Sequence, residues 1–176
     1  MKTLGIVVLA IAGCATSPPT RQGKNALEQE ADATLGEMRA RDPSIDNVLR
    51  GSYAYAVFPD VGKAAVGAVG GAYGRGVLFE HGRPSGYVKL EAGSVGAELG
   101  GETYAELLVL RNASDVRRLK QGHFDLGANI AAVALKTGAA AAADFRNGRA
   151  VFVMPRGGLM VDVSVAGQRI DYQPAG

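Results

Sequence analysis

The sequence predicts a mainly β protein of the α+β class. We expect a compact antiparallel β-sandwich or barrel with N-terminal helices and one helix inserted between strands. Three observations predict this. Apolar residues recur at helical spacing up to Gly51 and at every second position in the runs that follow Tyr53. Turn signals separate the later runs at short intervals. The chain of 176 residues is long enough for one domain with its own core.

The charge balance excludes a nucleic-acid partner. The chain has 19 basic and 17 acidic residues, a formal net charge of +2, whereas a nucleic-acid-binding domain is strongly basic. An anionic ligand must therefore be met by a local cluster of cations rather than by a global field. We expect neither a cofactor nor a metal ion.

The first fourteen residues contain a short apolar run and the sole cysteine of the chain. Lys2 precedes an apolar run over residues 4–12, which is too short to span a bilayer and is typical of a secretory signal. The four residues that end at Cys14, the sole cysteine, resemble a lipobox. This implies cleavage before Cys14 and acylation of its thiol; the alternative is an ordinary signal peptide with a chance cysteine. Ala15 in the next position favours the outer membrane, with the protein at its periplasmic face.

The predicted organisation has three parts. Residues 1–13 form the signal peptide, and residues 14–24, which are rich in small, polar and proline residues, form a lipidated tether. Residues 25–176 form a single domain.

Two helices are predicted at the start of this domain. Asn25 caps the first one, and the second starts after Asp42-Pro43 and stops at Gly51. The apolar face of the first consists of Leu27, Ala31, Leu35 and Met38. A stripe this narrow favours packing on a core, because a membrane-surface helix has a broader apolar face and more basic residues.

Strands follow, with turns between them. Residues 54–58 form an apolar run that Pro59-Asp60 closes, and residues 159–165 alternate apolar with polar positions. His81-Gly82 and Asn147-Gly148 are turn signals, and the second predicts a hairpin.

One helix interrupts the strands. Asn112 or Ser114 caps it, Val116 and Leu119 face inward, and Gly122 ends it.

A glycine-rich stretch over residues 63–79 has three readings. A membrane glycine zipper is disfavoured because only eleven residues lie between Lys63 and Arg75, too few to span a bilayer as a helix. A phosphate loop is disfavoured because Phe79 stands where a G-x-G-x-x-G pattern needs glycine. The remaining interpretation is a strand whose glycines let another layer approach closely. The small-residue run over residues 138–143 suits the same role.

The order of several glycine-rich motifs resembles the SYLF-domain family. These motifs are Ala56-Val57-Phe58-Pro59, Val61-Gly62-Lys63, Gly70-Gly71-Ala72-Tyr73-Gly74-Arg75-Gly76, Gly93-Ser94-Val95-Gly96, Leu99-Gly100-Gly101 and Gly157-Gly158-Leu159-Met160. The resemblance covers about residues 25–173. It implies a phospholipid-binding module without enzymatic activity. Eukaryotic members also act on actin, which we do not expect of a bacterial envelope protein, and their basic N-terminal segment is here mixed with acidic residues.

Catalytic groups are sparse in the sequence. His81 and His123 both fall at turn or helix-stop signals, and no nucleophile elbow or zinc motif occurs. Glu98, Glu102 and Glu106 are the remaining candidates for paired carboxylates. If residues 103–110 form a strand, Glu102 and Glu106 share one face, which we expect to be solvated. We therefore expect the protein not to be an enzyme.

Basic side chains provide the candidate binding sites. Lys63 and Arg75 flank the glycine stretch, where exposed backbone N–H groups and cations together bind phosphate. Arg117, Arg118 and Lys120 form a second cluster on the inserted helix. For each cluster the alternative is a solubilising surface charge.

These observations favour an envelope lipoprotein whose domain binds phospholipid headgroups or a membrane surface without catalysis. The alternative is a structural lipoprotein that docks an envelope protein and never contacts lipid.

Overall fold

The computed structural model describes residues 15–66, 69–95, 100–127, 130–157 and 167–175. Three helices precede or interrupt the strands: α1 (Arg21–Arg41), α2 (Ile45–Arg50) and α3 (Ala113–Lys120). The strands are β1 (Ala54–Val66), β2 (Val69–Glu80), β3 (Arg83–Val95), β4 (Gly100–Leu110), β5 (Phe124–Asp125), β6 (Ala132–Ala134), β7 (Arg149–Gly157) and β8 (Arg169–Pro174). The predicted mainly β fold, with N-terminal helices and one inserted helix, is confirmed.

The strands form a single curled sheet in the order β5-β8-β3-β2-β1-β4-β7-β6. Every pairing is antiparallel except that of β6 with β7. The sheet curls into a half-barrel. Helices pack on both of its faces. The α1 face packs against α1 and α2 through residues such as Tyr55, Val57 and Leu107. The α3 face packs against α3 and the segment after it through residues such as Phe58 and Leu108.

The four long strands define two ends of the sheet. At the α3 end, β1 begins at Ala54, β2 ends at Glu80, β3 begins at Arg83 and β4 ends at Leu110. At the glycine end, the same strands stop or start at Val66, Val69, Val95 and Gly100. These two ends are the frame in which the basic side chains are placed below.

Helix α1 begins earlier than predicted. Its N-cap is Thr20, whose side chain accepts from the N–H of Gly23, and not Asn25. Residues 21–24 of the expected tether are therefore helical. The predicted apolar face is correct, since Leu27, Ala31, Leu35 and Met38 are all buried. The described part contains no helix that is both long and apolar enough to cross a bilayer.

Asp42 joins the α1–α2 corner to the small-residue run over residues 138–143. Its buried carboxylate accepts from the N–H groups of Gly138 at 3.0 Å and Ala140 at 2.7 Å, as well as from Ser44. Burial acts to raise the pKa of Asp42, but these hydrogen bonds outweigh it, so the pKa lies below its ordinary value. The small residues let this loop lie directly against the helix corner.

Two predicted strand features are wrong in detail. Pro59-Asp60 does not close β1; the pairing shifts there and the strand continues to Val66, so the pair lies in a β-bulge. Asn147 and Gly148 do form a turn, with positive φ values of 52° and 78°. The turn connects the two residues of an isolated β-bridge, Arg146 and Arg149, and not two strands of a hairpin. The strand predicted over residues 159–165 lies outside the described residues.

The other turn signals are confirmed. His81 and Gly82, with φ values of 51° and 76°, connect β2 to β3 as a two-residue hairpin loop. Asn112 is the N-cap residue of α3, and Gly122 follows the helix with a φ of 74°.

Candidate functional site

Lys63 and Arg75, which flank the glycine stretch, lie on opposite faces of the sheet. Lys63 pairs with Ala72, which packs on the α3 face. Arg75 follows Gly74, whose partner Leu90 is buried on that same face, so the Arg75 side chain is on the α1 face. The structure therefore does not bring these two cations together around one ligand.

Each of the two cations has its own partner. The ammonium of Lys63 lies 3.3 Å from the Glu102 carboxylate, and both side chains are less than 15% exposed. The Nε of Arg75 donates to the carbonyl of Ala15 at 3.1 Å, and the guanidinium lies 5.8 Å from the ring centroid of Tyr73. Arg75 therefore holds the start of the described chain against the sheet.

Helix α3 presents the second predicted cluster. Val116 and Leu119 are buried against the sheet, which leaves Arg117 and Arg118 exposed on the outer side. Neither arginine makes an ion pair or side-chain hydrogen bond within the part of the chain that the structure describes. Lys120 is different, because it donates to Glu80 and lies over the ring of Tyr172.

The ion pair between Lys120 and Glu80 shifts the pKa values of both residues. The hydrogen bond with Glu80 raises the pKa of Lys120 above its ordinary value. Burial acts to raise the pKa of Glu80, but the bond from Lys120 outweighs it and lowers the pKa. Of the three residues predicted on α3, Arg117 and Arg118 are thus available to a ligand and Lys120 is engaged.

The α3 end has an excess of cations. Four of its acidic side chains are paired within the protein: Asp46 with Arg39, Glu80 with Lys120, Asp115 with Arg149, and Asp144 with Arg146. By contrast, Arg83, Arg111, Arg117 and Arg118 have no acidic partner among the described residues. Glu30 and Asp32 on α1, and Asp60 in the middle of β1, have no basic partner among the described residues.

A cleft at the α3 end contains charges that the sequence did not single out. It encloses about 320 Å³ between the α1–α2 corner and the β2–β3 turn. Its lining consists of Arg39, Asp46, Leu49, Arg50, Ser52, Tyr55, His81 and Gly82. In the sequence, His81 is recognisable only as part of a turn signal, and nothing marks Arg39 as a binding residue. Nothing in the local pattern relates them, because the tertiary fold alone brings these positions together.

The face that carries Glu102 and Glu106 is not solvated, contrary to expectation. Both residues do lie on one face of β4, but Glu106 is 0% exposed. Gln168 donates to Glu106 Oε2 at 3.0 Å, and Oε1 has no hydrogen-bond partner among the described residues. Burial raises the pKa of Glu106 to about 7. Glu98, the third candidate carboxylate, lies outside the described residues, as does Cys14.

Comparison with known protein families identifies the domain. Residues 91–174 match the family model described as Ysc84: Las17-binding protein actin regulator. This is the SYLF-domain family, so the resemblance is confirmed over residues 91–174. The match runs from β3 through α3 to β8. The family is consistent with lipid or actin-related binding. No curated protein matches the chain.

Proposed function

We propose that this protein is a non-catalytic envelope lipoprotein whose SYLF domain binds anionic phospholipid surfaces through the α3 end. One observation carries the proposal: at this end four acidic side chains are paired internally, whereas Arg83, Arg111, Arg117 and Arg118 have no acidic partner among the described residues. A surface of this kind attracts phosphate groups even though the net charge is only +2.

The attachment has two parts in this proposal. Acyl chains on Cys14 anchor the protein, and the basic surface adds an electrostatic contact. Two such signals together give stable membrane association, whereas a single weak one is only marginal. The arginines are exposed, so their contribution must weaken as salt is added.

The protein-docking alternative has less support. A docking surface needs a contiguous apolar patch of several hundred Å². In the described part, the large exposed apolar side chains are Tyr53 and Tyr73, at 38% and 41% exposure, and they lie towards opposite ends of the sheet. The actin and Las17 terms in the family description suit a eukaryotic cell and are not proposed for an envelope protein.

An enzymatic role has little support from the carboxylates. Glu106 has a raised pKa, as a catalytic acid often has. However, it is 0% exposed, so no substrate reaches it in this conformation.

Vesicle co-sedimentation tests the proposal directly. The chain from Ala15 onward lacks the acylation site and contains every described element. We expect it to pellet with anionic vesicles but not with neutral ones, and to be released by salt. Arg117→Glu with Arg118→Glu reverses two exposed charges and should weaken binding at least about tenfold, since each charge near an anionic surface contributes about 1 kcal/mol.

A matched control uses the same charge reversals at the other end of the sheet. Lys63→Glu with Arg75→Glu should leave pelleting nearly unchanged if the α3 end is the membrane surface. Equal losses in both double variants would show a diffuse charge effect. A loss confined to the Lys63 and Arg75 variant would move the surface to the glycine end and refute the proposal.

A further inference from the structure

We propose that the cleft formed by Arg39, Arg50, Tyr55 and His81 is a specific binding site for a phosphate monoester. The α3 surface described above is an open array of charges, whereas this cleft is concave and is lined by several hydrogen-bond donors. The inference deepens the proposed function by naming the group recognised, and only its vesicle experiment rests on that function.

The two arginines supply donors that the fold leaves unused. Arg39 donates through Nε to Asp46 at 2.8 Å. This bond leaves both terminal NH₂ groups of its guanidinium available to donate to a ligand. Arg50 donates through one terminal nitrogen to Asn47 Oδ1. Guanidinium groups of this kind match phosphate oxygens in a planar, often bidentate geometry.

Tyr55 gives a second and independent indication of a ligand. Its side chain is stacked on Phe79 with centroids 5.1 Å apart, and the residue is only 7% exposed. Despite this burial, its hydroxyl makes no hydrogen bond to any described residue. The hydroxyl oxygen is not among the fully enclosed polar atoms, and Tyr55 lines the cleft. The hydroxyl is therefore available to donate a hydrogen bond to an anionic oxygen in the cleft.

The electrostatic neighbourhood of Tyr55 agrees with this geometry. Burial raises the pKa of Tyr55, the positive charge of Arg39 acts to lower it, and the negative charge of Asp32 adds to the rise. Arg39 and Tyr55 both line the cleft, so one ligand can contact the two.

The charge and size of the cleft select the ligand class. Among the lining residues, Arg39 and Arg50 against Asp46 leave one positive charge. The carboxylate of Asp32 near Tyr55 opposes this charge. His81 offers a ring nitrogen as a further hydrogen-bond partner. The volume of about 320 Å³ is at the small end of ligand sites, which suits a phosphate with a few attached atoms. His81 is itself held by an edge-on contact with Tyr53 at 5.3 Å. A phosphate monoester, as in phosphatidic acid or glycerol 3-phosphate, fits these features.

Calorimetric titration with soluble ligands tests the site without a membrane. The chain from Ala15 onward is titrated with glycerol 3-phosphate, with inorganic phosphate, and with glycerol as the uncharged control. We expect both phosphates to bind and glycerol not to bind. Tyr55→Phe, which removes one oxygen and keeps the ring stack, should weaken binding about tenfold, as should Arg50→Gln.

Two control variants change the same residue types outside the cleft. Tyr73→Phe and Arg83→Gln should bind glycerol 3-phosphate like the wild type, with thermal unfolding used to show that all four variants are folded. Absence of phosphate binding by the wild type, or unchanged affinity in both Tyr55→Phe and Arg50→Gln, would overturn the site.

Vesicles then separate the membrane source from a soluble one. Phosphatidic acid exposes a monoester and phosphatidylglycerol a diester, so vesicles of the two are compared at matched surface charge. A preference for phosphatidic acid that Tyr55→Phe abolishes supports a headgroup site. Soluble phosphate binding without vesicle binding supports the site as one for a free phosphate ester and refutes the proposed membrane function instead. Vesicle binding without any phosphate-ester binding overturns the site and leaves the membrane function standing.

Discussion

Glu106 is a carboxyl group enclosed in the protein interior. Its neighbours across the strands are Phe58 and Val153, and only one of its oxygens receives a hydrogen bond, from Gln168. Gln168 belongs to the segment that leads into β8, which is separated from β4 by three strands in the sheet order. The curl of the sheet therefore lets these two residues meet across the α3 face, and the bond joins distant parts of the half-barrel.

The raised pKa of Glu106 makes the stability of the fold pH-dependent. The folded protein holds its proton up to a pKa of about 7, whereas the unfolded chain releases it near 4.5. The contribution is thus fully present below about pH 4.5 and is lost as pH rises to about 7. A change of this size corresponds to roughly 3 kcal/mol of the free energy of unfolding.

Denaturant unfolding at a series of pH values measures this loss. Glu106→Gln cannot ionise and keeps an acceptor for Gln168, so we expect its free energy of unfolding to vary less with pH between 5 and 7.5. Glu102→Gln is the matched control on the same strand face and should retain the wild-type slope. A wild-type slope in Glu106→Gln would show that Glu106 is not the group responsible.

At the scale of the strands, the bulge in β1 explains where the glycine stretch needs its glycines. The pairing of β1 with β2 shifts between Val57 and Asp60, and Gly74 and Gly76 of β2 lie opposite this part of β1. A Cβ on Gly76 would collide with the carbonyl of Val57, and one on Gly74 would lie 2.8 Å from a methyl of Val61. Gly62, in contrast, has nothing within 4 Å of its Cβ position. The close-approach interpretation is thus confirmed at particular positions only.

This contrast predicts different outcomes for two alanine substitutions. Gly76→Ala should lower the free energy of unfolding by about 2 kcal/mol or more, because a backbone carbonyl cannot move aside as a flexible side chain can. Gly62→Ala should change it by less than about 0.5 kcal/mol. Thermal or denaturant unfolding checks both. A neutral Gly76→Ala variant would show that the bulge relaxes, and a costly Gly62→Ala would indicate a contact outside the described residues.

The same elements show how far local sequence patterns reach. The spacing of apolar residues predicted the buried face of α1 correctly, because the same helical spacing recurs over four buried residues. It did not locate the bulge, since Pro59-Asp60 resembles a strand end when the partner strand is unknown. It also placed the N-cap at Asn25 rather than at Thr20, because both residues are good caps.

At the scale of the whole molecule, the curl of the sheet decides which charges meet. Lys63 and Arg75 are twelve positions apart in sequence, yet they lie on opposite faces. Arg39, Arg50 and His81 span more of the chain and line one cleft. The sequence predicted Arg117 and Arg118 as part of a basic cluster on the inserted helix, and both side chains are exposed. It could not indicate the cleft, because that depends on how α1 crosses the sheet towards the β2–β3 turn.

The fold also fixes where the acyl anchor would leave the domain. Ala15, the residue after Cys14, is held by Arg75 through a backbone hydrogen bond of 3.1 Å, so the lipid would emerge beside the sheet and not from a long free tether. We expect the full-length protein, made in a bacterium with two membranes, to be acylated at Cys14 and to fractionate with the outer membrane on a density gradient. Ala15→Asp should shift it to the inner membrane while keeping the backbone contact, and Cys14→Ser should abolish acylation by mass spectrometry. An unmodified Cys14 in the mature wild-type protein would refute the anchor and leave the basic α3 end as its sole proposed membrane contact.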